Sequence, residues 1–323
     1  MYGENSIFTC TRCANDEEWR AERNKSLGGS DVAALLGISK WKSPAALYVE
    51  KANIKPEQAN DATTPIMEFG NMMEPIIAER FKAEHPDILV RRANAILRPI
   101  GRPWAHASLD YECREPDGKW GVLEIKCAAS EAEWKDGVVP YYMVQGQHYL
   151  AVTGRDYVWF CVLFRDSCEI RSFRVERDDD LIAHIEGRVD EFWENVMSKV
   201  PPTNMSGTDD ESGALAKIYA NHRDDLRTVN DTELETAALA YETVSAQIKA
   251  LEKRRKALAD SLCRAIGDDR GITLPAAKRR IVWIRSERTS YDTKRLVADH
   301  PDIAAQYAKT STVSGGLRIT STK

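Results

Sequence analysis

The chain has 323 residues, of which 43% are hydrophobic and 29% charged, with a net charge of −5. That apolar share can build a core in one large domain or two smaller ones, and no apolar run is long enough to span a bilayer. The acidic balance gives no general affinity for nucleic acid, although a local basic groove remains compatible with it. The seven cysteines are odd in number and form a single CxxC, Cys10 and Cys13, which reads as the reduced-thiol pattern of a soluble intracellular protein.

Residues 16–52 read as helices broken by glycines. In "LGGSDVAALLG", Ser30 is placed as the N-cap of a short helix, Asp31 to Leu36, that Gly37 stops. Residues 66–84 carry apolar side chains at helical spacing. Residues 93–127 change to short β-like runs separated by "RPIGRP" and "EPDGK", the second of which suits a hairpin turn. A helix is predicted over about 139–152, a buried central strand over 156–164, a partner strand in "SCEIRSFRVER", and a helix from about 178 to 199. Pro201-Pro202 and "TNMSGTDDESG" mark a boundary. Beyond it, 231–266 forms one long charged helix with apolar residues every three or four positions, and 270–323 reads as short strands around a small helix at 292–299. The expected division is an α/β core over 1–200, a linker over 201–230, and a C-terminal long helix with a small α+β tail over 231–323.

The stretch Val122-Leu123-Glu124-Ile125-Lys126-Cys127 concentrates the chemistry. Strand side chains alternate, so Leu123, Ile125 and Cys127 share one face while Val122, Glu124 and Lys126 share the other. An ordinary half-exposed strand with a solvated polar face accounts for this pattern. A metal site accounts for it as well. Asp110 lies one hairpin upstream, and pairing of the strands brings its carboxylate and that of Glu124 to one end of the sheet. Two carboxylates and a backbone carbonyl, completed by waters, suffice for a hard divalent cation. Lys126 then sits beside an attacking water, as phosphodiester hydrolysis requires. From these residues alone both readings stand.

The flanking segments add a resemblance. "ASLDYECREPDGKWGVLEIKC" resembles the D…(D/E)xK core of the restriction-endonuclease-like nucleases. "RNKSLGGSDVAALLGISKWKSPAALYVEK", "EFGNMMEPIIAERF" and "YYMVQGQHYLAVTG" resemble, in the right order, motifs of the YqaJ-like viral recombinase family, which includes the lambda-type exonucleases. The likeness spans roughly residues 16–200. It implies a restriction-endonuclease-like α/β fold with a central mixed sheet flanked by helices. It also implies Asp110, Glu124 and the Ile125 carbonyl as metal ligands, Lys126 as the catalytic lysine, and Glu74 and Gln145 beside them. Arg23 and Ser30 match positions that hold the 5′-phosphate of the digested strand. A hydroxyl near a helix N-terminus with an arginine beside it suits that role. Lys40, Lys42, Arg91, Arg92, Arg98 and Arg102 are candidates for contacts to duplex phosphates.

The implied activity is Mg²⁺-dependent 5′-to-3′ digestion of linear double-stranded DNA ends, with Mn²⁺ as a substitute. The same resemblance implies a homotrimer, a single-strand annealing protein as partner, and a phage- or prophage-encoded protein of the bacterial cytoplasm. A restriction-like endonuclease and a non-catalytic DNA-end-binding scaffold are the alternatives.

Overall fold

The computed structural model describes residues 7–54, 64–204, 207–220, 225–284, 286–308 and 319–320. The chain divides into two compact units, residues 1–220 and 221–323.

The first unit opens with β1 (Phe8–Thr11) and the helices α1 (Asp16–Asn24), α2 (Gly29–Leu35), α3 (Pro44–Lys51) and α4 (Pro65–Glu84). Side chains cap three of these starts: Asn15, Ser43 and Thr64 each accept a backbone N–H from the first turn, and Pro44 and Pro65 sit where no donor is needed. The strands β2 (Leu89–Arg92), β3 (Ile96–Pro99), β4 (Ala107–Ser108), β5 (Tyr111–Arg114) and β6 (Trp120–Ala128) follow. Then come α5 (Pro140–Thr153), β7 (Tyr157–Phe164), β8 (Ile170–Glu176), α6 (Asp179–Ser198) and α7 (Glu211–Ile218).

Two sheets result. A small antiparallel one has the order β1-β3-β4, and a five-stranded one has the order β2-β5-β6-β7-β8. In the larger sheet β6 and β7 run parallel and every other pair is antiparallel, so the sheet is mixed. The β6-to-β7 connection carries α5, as a parallel crossover requires. On one face Leu123, Ile125, Cys161 and Leu163 pack with Ile77, Ala78 and Phe81 of α4. On the other, Val122, Val158, Phe160, Val162 and Phe164 join the main core with Val144 and Leu150 of α5 and with α2 and α6. This is the expected α/β architecture, a central mixed sheet flanked by helices.

Several boundaries differ from the sequence reading in instructive ways. Ser30 does not cap α2. The cap is Gly28, whose N–H donates to Asp31 Oδ2 at 3.0 Å, so the Asp31 carboxylate takes the capping role and the helix starts before Ser30. Gly37 ends the helix as expected, with φ of +72°. Asp110 lies between β4 and β5, where the chain passes from the small sheet to the large one. The segment expected as a linker contributes α7, which packs against α3 in the first unit. The Asp210 carboxylate accepts the Ser43 N–H at 3.1 Å and so fixes the approach to α7.

In the second unit α8 (Thr232–Ile266) is capped by Asp231 and followed by a hairpin of β9 (Gly271–Leu274) and β10 (Arg279–Val282). Among the described residues two short helices, α9 (Thr293–Asp299) and α10 (Pro301–Tyr307), follow this hairpin. Apart from 319–320, the tail beyond 308 lies outside the described residues. Among the described residues no helix is long and apolar enough to cross a membrane.

Candidate active site

β6 is short of partners at one end. Tyr111 pairs with Leu123, and β5 begins there. The same register continued by one residue sets Asp110 opposite Glu124. Where the ladder stops, the Ile125 N–H donates to Asp110 Oδ2 at 2.9 Å, so the Asp110 side chain replaces the missing strand partner.

Glu124 points into the layer beneath α5 and is 2% exposed. A solvated polar face is therefore not what this strand has. Its Oε1 accepts from Lys126 Nζ at 2.7 Å and from Gln145 Nε2 at 3.0 Å, while its Oε2 is buried with no hydrogen-bond partner. Lys126 Nζ also stands 4.7 Å from the centre of the Tyr142 ring. Gln145 donates in addition to the Tyr149 hydroxyl at 2.9 Å, which holds its amide in the site. Glu74 comes from α4 across the sheet edge and accepts from Arg92 at 3.3 Å.

The electrostatics of this group are strained. Burial pushes the Glu124 carboxyl up to about 8, with the Asp110 charge adding to the rise against the pull of Lys126. Burial also raises Asp110, and burial with the Asp110 charge raises Glu74. Burial would lower Lys126, but Glu124 and Asp110 outweigh it and hold the ammonium charged. Three acids raised by burial, two of them further raised by the Asp110 charge and one with an orphaned buried oxygen, fit a hard divalent cation, which would relieve the repulsion and satisfy Glu124 Oε2. Among the described residues no three His, Cys, Asp or Glu side chains gather closely enough to form a metal site alone. The fit is thus to two carboxylates, Asp110 and Glu124, with the Ile125 carbonyl and waters completing the shell.

A second cluster lies at α2. Arg23 Nη2 donates to Ser30 Oγ at 3.1 Å, and its guanidinium stacks 4.3 Å from the Trp19 ring centre. Beneath them is a buried network that the sequence reading missed. Lys51 Nζ pairs with Asp31 Oδ2 at 3.0 Å, and the Lys51 side chain is only 2% exposed. Ser26 Oγ meets His106 Nδ1 at 2.9 Å, and His148 Nε2 meets the His106 carbonyl at 3.0 Å. Burial pushes Asp31 up, but Lys51 and Lys42 outweigh it and hold it down to about 2. Burial keeps His106 neutral, down to about 2.

The two glycines before Ser30 also have a packing role. A Cβ on Gly28 would lie 2.6 Å from His106 Nε2, and one on Gly29 would lie 2.4 Å from Tyr149 Cε1. The bare Gly28 leaves room for the His106 ring, and the bare Gly29 lets α2 lie close against α5. The contact links the Arg23–Ser30 pair to the helix that carries Gln145. Gln147 acts elsewhere. It donates to the Glu176 carbonyl at 2.7 Å and accepts from the Asp178 N–H at 2.9 Å, anchoring the start of α6.

Each of the basic candidates pairs with an acid. Arg98 pairs with Glu22 at 3.2 Å, and Arg102 with Glu186 and Asp190. Arg91 pairs with Glu112 at 2.6 Å and lies over Trp120. Lys40 pairs with Glu133 at 2.6 Å and Lys42 with Glu50 at 2.5 Å. Arg92, through Glu74, is the one that reaches the acidic site.

Comparison with known proteins places these features in a family. Residues 18–156 match the YqaJ-like viral recombinase domain, a span that contains every residue of both clusters. The protein YqaJ of Bacillus subtilis (strain 168), described as uncharacterized, is 31% identical over 306 residues, covering 91% of each chain. Among solved structures, an alkaline exonuclease from Laribacter hongkongensis shares 27% identity, covers 57% of this chain and 94% of its own, and superposes with a TM-score of 0.47. A phage related exonuclease from Haemophilus somnus 129PT shares 14% identity over 54% of this chain and 96% of its own, with a TM-score of 0.41. The chain belongs to the YqaJ-like viral recombinase family.

Proposed function

We propose that this protein is a Mg²⁺-dependent exonuclease that digests linear double-stranded DNA from its 5′ ends and leaves 3′ single-stranded overhangs for phage-type recombination. The observation that carries the reading is the buried group at the end of β6, where Glu124 faces Lys126 and Asp110 with one carboxylate oxygen unpartnered. Membership of the recombinase family supports it.

Asp110, Glu124 and the Ile125 carbonyl would hold the cation. Bound there, Mg²⁺ supplies positive charge to the scissile phosphate and acidifies a bound water. The chain's own groups do the rest. Lys126 holds its proton against burial because two carboxylates face it, so a fixed cation stands beside the reacting phosphate. Gln145, tethered by Tyr149, orients Glu124. Glu74, raised in pKa by burial and by Asp110, accepts hydrogen bonds from water at the same edge. Arg23 and Ser30, already in contact, receive the 5′-phosphate and choose the end to be degraded. Three chains closing around the duplex would keep it from diffusing away between cuts, and an annealing protein would coat the overhang.

Linear duplex and covalently closed circular DNA of the same sequence test the reading. With Mg²⁺ the linear form is expected to shorten from its ends while the circle stays intact, and EDTA is expected to stop digestion. Cleavage of the intact circle would make the protein an endonuclease and sink the proposal.

A further inference from the structure

α8 is 35 residues long, and among the described residues no other element of its own unit lies along it. A helix of that length, about 50 Å, ordinarily gains most of its stability in a protein by packing its apolar face. Leu234, Tyr241, Val244, Ile248, Leu251, Leu258 and Leu262 are all between 40% and 63% exposed. They are not scattered. With Leu234 as position a of a heptad, positions a are Leu234, Tyr241, Ile248, Arg255 and Leu262. Positions d are Ala237, Val244, Leu251, Leu258 and Ala265. Apart from Arg255 the seam is apolar at a and d along the whole helix, which is the pattern of a coiled coil, and such a seam accepts another helix. Leu239 alone among the exposed large apolar residues of the helix lies off the seam.

Two features identify the second helix and its direction. The first half of α8 carries Glu233, Glu235 and Glu242 and no basic residue. The second half carries Lys249, Lys253, Arg254, Arg255, Lys256 and Arg264 against Glu252 and Asp260. A copy of α8 running the opposite way sets acidic half against basic half; a copy running the same way stacks like on like.

The seam agrees. In an antiparallel pair centred between Ile248 and Leu251, Leu234 meets Ala265, Ala237 meets Leu262, Tyr241 meets Leu258, and Ile248 meets Leu251. Large faces small at the ends and medium faces medium at the centre, which is how a packed seam fills its layers. Arg255 meets Val244, along which its aliphatic stem can lie while the guanidinium reaches water near the acidic half. In a parallel pair Arg255 would meet its own copy in one layer, two charges facing across a dry seam.

We infer that α8 is a self-association element that pairs antiparallel with α8 of a second copy of this chain. The pairing is independent of the nuclease reading. If three first units also close a ring, paired arms would double that assembly to six chains.

Sedimentation of the full chain tests the inference. Ile248→Asp with Leu251→Asp places charge on two exposed seam residues at the centre of the pair, and the sedimenting mass is expected to fall by half. A wild-type chain that sediments as a monomer, or equal masses for wild type and variant, would overturn the inference. Direction is read separately with Val244→Cys and Arg255→Cys. The two sites are too far apart along one helix to bridge within a chain. Under mild oxidation the double variant is expected to form a covalent dimer above the wild-type background, and neither single variant is. Cross-linking of the single variants would show a parallel pair and overturn the antiparallel one.

Discussion

Lys51→Met removes a buried charge from beneath the proposed end-binding pocket. Lys51 Nζ lies 3.0 Å from Asp31 Oδ2, and both side chains are almost fully buried. At that distance the gross attraction in a protein-like dielectric is about 5 kcal/mol. Asp31 keeps its hydrogen bond from the Gly28 N–H and the nearby charge of Lys42, so part of the attraction survives the substitution. The net loss expected at pH 7 is about 3 kcal/mol, within the range for breaking a buried pair on one side. Urea unfolding followed by tryptophan fluorescence reads this loss as a lowered midpoint with an unchanged slope. A second consequence has a definite sign. With Lys51 the folded Asp31 pKa is about 2, below its unfolded 3.8, so the pair contributes stability above pH 3.8 that is lost as pH falls toward 2. Without Lys51 the folded pKa rises, so acid removes less stability through this group. Adding Asp31→Asn to Lys51→Met should recover much of the loss, because no unpaired charge remains buried. A cost under about 0.5 kcal/mol for Lys51→Met, the size of an ordinary surface change, would refute the reasoning.

His106 stays neutral in the fold to about pH 2, while the unfolded chain takes up its proton from 6.5 downward. Stability should therefore be full above 6.5 and fall by up to about 1.4 kcal/mol per pH unit below it, with His148 adding in the same direction. Urea midpoints between pH 7.5 and 5 measure the slope, and His106→Asn should flatten it; an unchanged slope would count against the buried network. Gly29→Ala should destabilise by roughly 1–3 kcal/mol through its clash with Tyr149, despite a helix-propensity gain of about 1 kcal/mol. A rise in stability on urea unfolding would show that α2 and α5 can part at no cost. Arg23→Ala should slow digestion of 5′-phosphorylated ends far more than of 5′-hydroxyl ends, and equal slowing on both would remove Arg23 from the phosphate pocket.

How much of this was readable in the sequence depended on range along the chain. The helices and the β5–β6 hairpin follow local signals, and so does the sharing of one face by Glu124 and Lys126. The burial of that face does not. It comes from the parallel neighbour β7 and the crossover helix α5, which arrive about 20 and more residues later and close over a strand whose alternation resembles an exposed one. The same limit hid the second cluster. Lys51 stands at the end of a helix, where lysines are ordinarily solvated, and nothing near it in sequence points to Asp31. It also blurred the basic candidates: the acids that pair Arg98 and Arg102 are Glu22, Glu186 and Asp190, each more than 70 residues away. Ser30 does not cap α2 for a local reason: Asp31, one position later, takes that role through the Gly28 N–H.

Whether the polar face of β6 is a hydrolytic centre is tested most directly by one comparison. Wild type and Lys126→Ala are given 5′-end-labelled linear duplex and Mg²⁺, after matched urea unfolding shows both chains folded. Release of labelled mononucleotide is predicted for wild type, with a rate lower by about 10³-fold or more for the variant. Equal rates in the two proteins would contradict the assignment, because the ammonium held between Glu124 and Tyr142 would then have no part in cutting DNA.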